Sequence, residues 1–171
     1  NAVKAGFDAI EVHTAHGYLL ASFLSPISNT RSDEYGGDRN GRMRLPLEIV
    51  EAVRREMPDT MPLFVRVSAV DGTRDGWNLD DTVAFAAELK RRGVDVVDCS
   101  SGGISGSATA AQVPRGLGFQ VPYAERVRKE IVVAHEKKLG KDSAEVADAL
   151  AELAAVYDAQ SKYPKSDAIY R

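Results

Sequence analysis

Residues 63–103 read LFVRVSAVDGTRDGWNLDDTVAFAAELKRRGVDVVDCSSGG, and this one segment narrows the fold class sharply. Leu63–Ser68 (LFVRVS) is a short valine-containing apolar run bounded by a Gly- and Asp-rich loop, the signature of a strand. Leu79–Arg92 carries its helix signals in order. Asp80 and Asp81 lie at the positive N-terminal end, Lys90, Arg91 and Arg92 at the negative C-terminal end, and Gly93 stops it. Val94–Cys99 (VDVVDC) is a second β-type run, again followed by a Gly- and Ser-rich loop. Two strands joined by a helix argue for parallel pairing, because parallel neighbours need a crossover connection.

The same order holds upstream. Ala9–His13 (AIEVH) is a further β-type run, and Arg44–Met57 places Ile49, Val50, Val53 and Met57 on one helical stripe that Pro58 closes. Three β-loop-α units imply an α/β fold with a parallel sheet covered by helices, either doubly wound or closed into a (β/α)8 barrel. The segments after the strands are long, running from Thr14 to about Gly41, from Val70 to Asn78 and from Ser100 to Gln120. Those leading back from helix to strand are short, which places the chemistry at the carboxyl ends of the strands. Beyond Val121 the strand signals stop. VPYAERVRKEIVVAHEKKLG reads as one helix with Pro122 in its first turn and Gly140 as its stop. SAEVADALAELAAVYDAQSKY reads as a second, with Ser143 as N-cap and Glu145 in its first turn, and PKSDAIYR opens a third at Pro164.

Composition bounds what these elements can do. The 171 residues are 44% hydrophobic and 27% charged, as in an ordinary globular protein. With 22 Lys and Arg against 25 acidic residues, the net charge of -3 supports neither nucleic acid nor an anionic membrane as partner. A single cysteine, Cys99, rules out an intrachain disulfide framework and fits a reducing, cytoplasmic setting. No apolar stretch approaches the roughly 20 residues that span a bilayer, and no leader pattern opens the chain. It starts at Asn1 with AVKAGFDAIEVH, the end of a helix running into a strand, so a piece of a longer protein is expected.

The polar residues with most chemical promise stand in EVHTAHGYLL, residues 11–20. His13 ends a strand, His16 follows three residues on and Tyr18 two more, so a tight turn could face all three into one pocket. Two imidazoles can donate hydrogen bonds to one carbonyl oxygen, and a phenol stays protonated at neutral pH and can act as an acid. The bland alternative has His13 capping the strand, His16 bonding backbone and Tyr18 packing on the next helix. Arg66, between Val65 and Val67, must face a partner, since burying a guanidinium unpaired costs several kcal/mol. That partner is either a carboxylate such as Glu11 or Asp98, or an anion or polarised oxygen at the strand's end. Residues 100–103, SSGG, with Gly106 close behind, could bring backbone N–H groups near a ligand. Cys99 reads as a small buried hydrophobe, and Trp77 either covers a pocket mouth or packs. No metal site is expected, because His13 and His16 come without an assignable carboxylate ligand.

EVHTAHGYLLASFLSPISNTRSDEYGG, PLFVRVSA, GVDVVDCSSGG and GFQVPYAERVRK, in that order, resemble the old yellow enzyme family of FMN-dependent ene reductases, in its YqjM-like branch with a His-His pair. The similarity covers roughly residues 1–130. It implies part of a (β/α)8 TIM barrel, about three βα units that look like the fourth to sixth of eight. It further implies an oxidoreductase in which FMN takes a hydride from NADPH or NADH and passes it to the β-carbon of an α,β-unsaturated carbonyl compound. By this resemblance His13 and His16 bind the substrate oxygen, with His13 also beside the flavin. Tyr18 binds substrate and protonates its α-carbon, and Arg66 sits at the pyrimidine edge and stabilises the anionic reduced flavin. The family's usual Glu-Asn-Arg after YGG is here Asn40-Gly41-Arg42, which keeps the arginine. With the phosphate-binding loops of the last two strands missing, the chain alone is expected to hold FMN weakly or not at all.

Residues 131–171 resemble a kinesin-light-chain-type tetratricopeptide repeat, with LGKDSAEVADAL, LAAVY, QSKY and AIYR in order. That resemblance implies a helical hairpin able to take a protein partner, though about three repeats are needed for a stable solenoid. It also frames the rival reading, a non-catalytic interaction protein with a vestigial barrel remnant.

Overall fold

The computed structural model describes residues 1–104, 112–113 and 116–139. The chain divides into two units, Asn1–Val121 and Pro122–Arg171, each taken by itself below.

The first unit is built on three parallel strands, β1 (Ile10–Thr14), β2 (Leu63–Ser68) and β3 (Val96–Ser100), which lie side by side in chain order. Helices α1 (Leu19–Leu24) and α2 (Arg39–Glu56) connect β1 to β2, and α3 (Leu79–Arg91) connects β2 to β3. Strand residues alternate between two faces, and here the faces differ along most of their length, the open one being buried only at its carboxyl end by Ser68 and Ser100. Val12 and Thr14 of β1 and Leu63, Val65 and Val67 of β2 are buried. Val12, Leu63, Val65 and Val67 form one core with Leu20 and Leu24 of α1, Met43, Leu47 and Val50 of α2, and Phe85 and Leu89 of α3. Each such side chain contributes roughly 1.5–3 kcal/mol by leaving water. On the opposite face Glu11 and His13 are exposed, Phe64 and Arg66 are half-buried, and Val96 is 39% exposed.

That asymmetry separates the two topologies that periodicity left open. A doubly wound sheet carries helices on both faces, whereas among the described elements of this unit α1–α3 all pack on one face, with strands in sequential order, as in an arc of a (β/α)8 barrel.

Local chemistry explains the element boundaries. Asn78 and Asp81 form a reciprocal capping box at the start of α3, so this helix begins where its sequence signals place it. Helix α2 begins five residues earlier than the Arg44 expected from its apolar stripe, because the Asp38 carboxylate accepts the Gly41 N–H (2.9 Å) and caps it there. The segment from Thr14 to Gly41, expected as loop, contains α1, a six-residue helix too short to display a period. Strands β1 and β3 are shifted toward the C-terminus relative to Ala9–His13 and Val94–Cys99.

Arg42, the arginine kept from the family pattern, ties the α1–α2 connection together by donating from Nε to the Leu24 carbonyl (2.9 Å) and from Nη1 to that of Gly37 (2.7 Å). The departure beside it has a steric reason here, since a Cβ at Gly41 would lie 2.1 Å from the Gly36 carbonyl oxygen. Trp77 packs and does not cover a pocket mouth. It is 2% exposed, meets Phe85 edge-on and donates its indole N–H to Thr82 Oγ1 at 2.7 Å.

Helix α4 (Val121–Leu139), all but its first residue in the second unit, is one helix with Pro122 in its first turn, as its sequence suggests. Gly140 and the two later helices expected from Ser143 and Pro164 lie outside the described residues. Among those described, no helix is long and apolar enough to cross a membrane.

Candidate active site

The chain leaves β1 through an unusual turn. His16 takes a left-handed backbone (φ 59°) and Gly17 another (φ 75°), so the path reverses at once and Tyr18 opens α1. A left-handed histidine is rare enough to need an external hold. The hold is Ser68, whose buried hydroxyl accepts the His16 N–H (3.0 Å) and donates to the Gly102 carbonyl (2.7 Å). The loop after β3 presses against the same turn. A Cβ on Gly103 would stand 2.4 Å from His16 Cα, and one on Gly17 would stand 2.6 Å from the Gly103 oxygen. Only glycine at both places lets the two loops meet.

The turn brings three of the sequence-predicted side chains together. The His13 and His16 rings lie 5.2 Å apart and nearly perpendicular (77°), and the Tyr18 ring is 5.2 Å from that of His13. Tyr18 is 63% exposed, so its phenol is open to an incoming molecule and is not packed on the next helix. His16 has its Nε2 at 2.6 Å from Ser100 Oγ, and Gln120 Nε2 donates to the hydroxyl oxygens of Ser100 (3.3 Å) and Ser101 (3.2 Å). Partial burial, then the Arg66 charge, then His13 pull the His16 pKa below its ordinary 6.5, with Asp98 opposing. The shift favours the neutral imidazole.

Arg66 stands in the next position of the same face. The strand register sets His13, Arg66 and Asp98 in one row across β1, β2 and β3. Of the two carboxylates weighed as partner, Asp98 is the one reached, with its Oδ2 3.5 Å from Arg66 Nε. The pair is long and both side chains are 40% exposed, so it contributes little. The contact also lacks hydrogen-bond geometry, and the buried Nε has no hydrogen-bond partner among the described residues. The Arg66 guanidinium thus keeps an unmatched donor among the described residues, on the sheet face opposite α1–α3.

Other residues of the neighbourhood carried weaker sequence signals. Ser68 and Ser100 end apolar strands and face each other in register. Asp71 is buried, accepts the Ser25 hydroxyl (2.6 Å) and the Trp77 N–H (2.7 Å) on one oxygen, and so clasps the loop after α1 to the loop after β2. Burial pushes the Asp71 pKa up. Cys99, read from sequence as a small buried hydrophobe, is partly buried against the core, and burial pushes its pKa up to about 11, which keeps it a thiol.

The sequence profile of the NADH:flavin oxidoreductase / NADH oxidase family matches residues 1–154. The chain belongs to this family. NADPH dehydrogenase of Bacillus subtilis is 46% identical over 133 residues, which cover 78% of this chain and 38% of that protein. An NADH:flavin oxidoreductase of Gibberella zeae is 45% identical over 140 residues, 76% of this chain and 34% of its own. Among solved structures, morphinone reductase superposes with a TM-score of 0.56 at 29% identity over 75% of this chain and 33% of its own. The chain thus spans about a third of the length of the relatives it matches. Family membership agrees with the old yellow enzyme resemblance, and the family is one of FMN oxidoreductases that use a nicotinamide hydride donor. The profile match also runs beyond residue 130, where the tetratricopeptide-like segment is expected to begin.

Proposed function

We propose that this chain carries the substrate-binding and proton-donating part of an FMN-dependent ene reductase that saturates the C=C bond of α,β-unsaturated carbonyl compounds. The observation that supports it most directly is the convergence of His13, His16 and Tyr18 on one turn, with Arg66 in the adjoining row. His13 and His16 donate hydrogen bonds to the carbonyl oxygen, which drains charge from the alkene and stabilises the enolate that forms as the β-carbon gains hydride. FMN, when bound, supplies that hydride and is recharged by NADPH or NADH. Tyr18 gives its phenolic proton to the α-carbon, so the product carries one hydride and one proton across the former double bond. Arg66, with its unmatched Nε donor, would hold the flavin's pyrimidine edge.

The reading keeps residues 1–130 as the catalytic part. It assigns 131–171, on sequence resemblance alone, to a tetratricopeptide-like segment that could take a protein partner.

A chimera tests the catalytic reading. Residues 1–130 replace the matching segment of the Bacillus subtilis NADPH dehydrogenase, and NADPH-dependent reduction of 2-cyclohexenone is followed. The expected result is a yellow protein that reduces the enone. A chimera that holds FMN and oxidises NADPH but leaves every enone untouched would overturn the proposal.

A further inference from the structure

A neutral imidazole carries one proton on one of two nitrogens, so a histidine that must donate to a substrate has to be held in the right tautomer. Around His16 the described contacts decide which. Nε2 has a single partner, Ser100 Oγ, at 2.6 Å. Nδ1 has no hydrogen bond to any described residue, and the backbone N–H is already committed to Ser68.

The direction of the Nε2 contact follows from the next residue along. Gln120 Nε2 is an amide NH2 group, which can only donate, and it directs its two hydrogens at the oxygens of Ser100 and Ser101. Ser100 Oγ therefore accepts from Gln120 on one lone pair; Ser100 is buried, and among the described residues His16 Nε2 is the one acceptor its hydrogen meets, so satisfying that hydrogen directs it to His16. Because Nε2 receives that hydrogen as a lone-pair acceptor, it cannot carry one itself.

We propose that Gln120 and Ser100 act as positioning residues that hold the His16 imidazole in its Nδ1–H tautomer, so that Nδ1 is the atom that donates. The relay runs from the Gln120 amide through the Ser100 hydroxyl to His16 Nε2. Ser68 holds the backbone of the same residue, so ring and main chain are fixed from two strands at once. The use of that proton on a substrate oxygen rests on the ene reductase reading, whereas the tautomer itself rests only on these contacts.

The test uses the 171-residue chain without flavin or substrate. Nitrogen-15 spectra of the labelled histidines, with His16 assigned by loss of its signals in His16→Gln, distinguish a protonated Nδ1 from a bare one. The wild type should show Nδ1 protonated and Nε2 bare at neutral pH. Ser100→Ala should shift the ring toward Nε2–H, Gln120→Leu should weaken the preference, and Ser100→Thr, which restores a hydroxyl, should return it. A wild-type His16 protonated at Nε2 overturns the proposal outright, even if no variant folds. An unchanged tautomer in Ser100→Ala removes Ser100 from the relay. Neither result depends on turnover, so a chimera that fails to reduce enones would sink the catalytic reading and leave the tautomer standing.

Discussion

Tyr18 is exposed, has its ring beside that of His13, and starts α1 without capping it by its side chain. Tyr18→Phe removes one hydroxyl and should leave the fold unchanged. In the chimera, stopped-flow measurement should show enone reduction slowed by about 10² to 10⁴, while reduction of the flavin by NADPH, which needs no proton from this phenol, keeps its rate. Equal slowing of both steps would assign Tyr18 to structure. Arg66 differs because its charge, not its proton, is the asset. Arg66→Met should lower the flavin midpoint potential, since a fixed positive charge beside the ring favours the added electrons. A potential that does not move would leave Arg66 only its long ion pair with Asp98.

At the scale of elements, the site depends on loops that touch through glycine. Gly103 has φ 103° and its missing Cβ makes room for the His16 backbone. Gly103→Ala should therefore cost more than an ordinary loop substitution, because the added methyl meets main chain that cannot swing aside. The expected outcome is a lower denaturation midpoint together with loss of the His16 tautomer preference, as the turn after β1 and the loop after β3 separate. Gly102→Ala serves as the control. Gly102 also has a left-handed φ of 72°, but nothing stands within 4 Å of its missing Cβ, so it carries backbone strain without the collision. If both variants behaved alike, the close approach of the two loops would not be what supports His16.

For the molecule as a whole, two shifted groups pull stability in opposite directions with pH. His16 has a folded pKa below 6.5, so its contribution is complete above that value and is lost as pH falls through the folded pKa. Asp71 has a folded pKa above 3.8, so its contribution is present below that value and is lost as pH rises through the folded pKa. Asp71 is common to the wild type and a His16 variant, so comparing the two isolates the His16 contribution. On going from neutral pH to about pH 5, His16→Gln should lose less denaturant resistance than the wild type. Parallel pH profiles for the two proteins would contradict the burial of His16.

Much of this architecture is written in short-range pattern. The helical signals of α3, the valine-containing apolar run of β2 and the β-loop-α order needed only neighbours within a turn or two of each other, so they sufficed to name a parallel α/β fold. His13, His16 and Tyr18 stood out for the same reason, as polar groups crowded where an apolar run ends. The start of α2 was missed because a capping carboxylate outweighs the apolar stripe, and α1 because six residues are too few to display a period. What the three-dimensional packing alone decides is which distant groups meet. His16 is held by Ser68, 52 residues away, and by Ser100, 84 residues away, and no local pattern encodes either encounter. The covering of one sheet face only, and with it the choice of a barrel arc over a doubly wound sheet, is likewise a property of assembled layers. Periodicity records that a strand has a buried side, but it does not record what lies on the other.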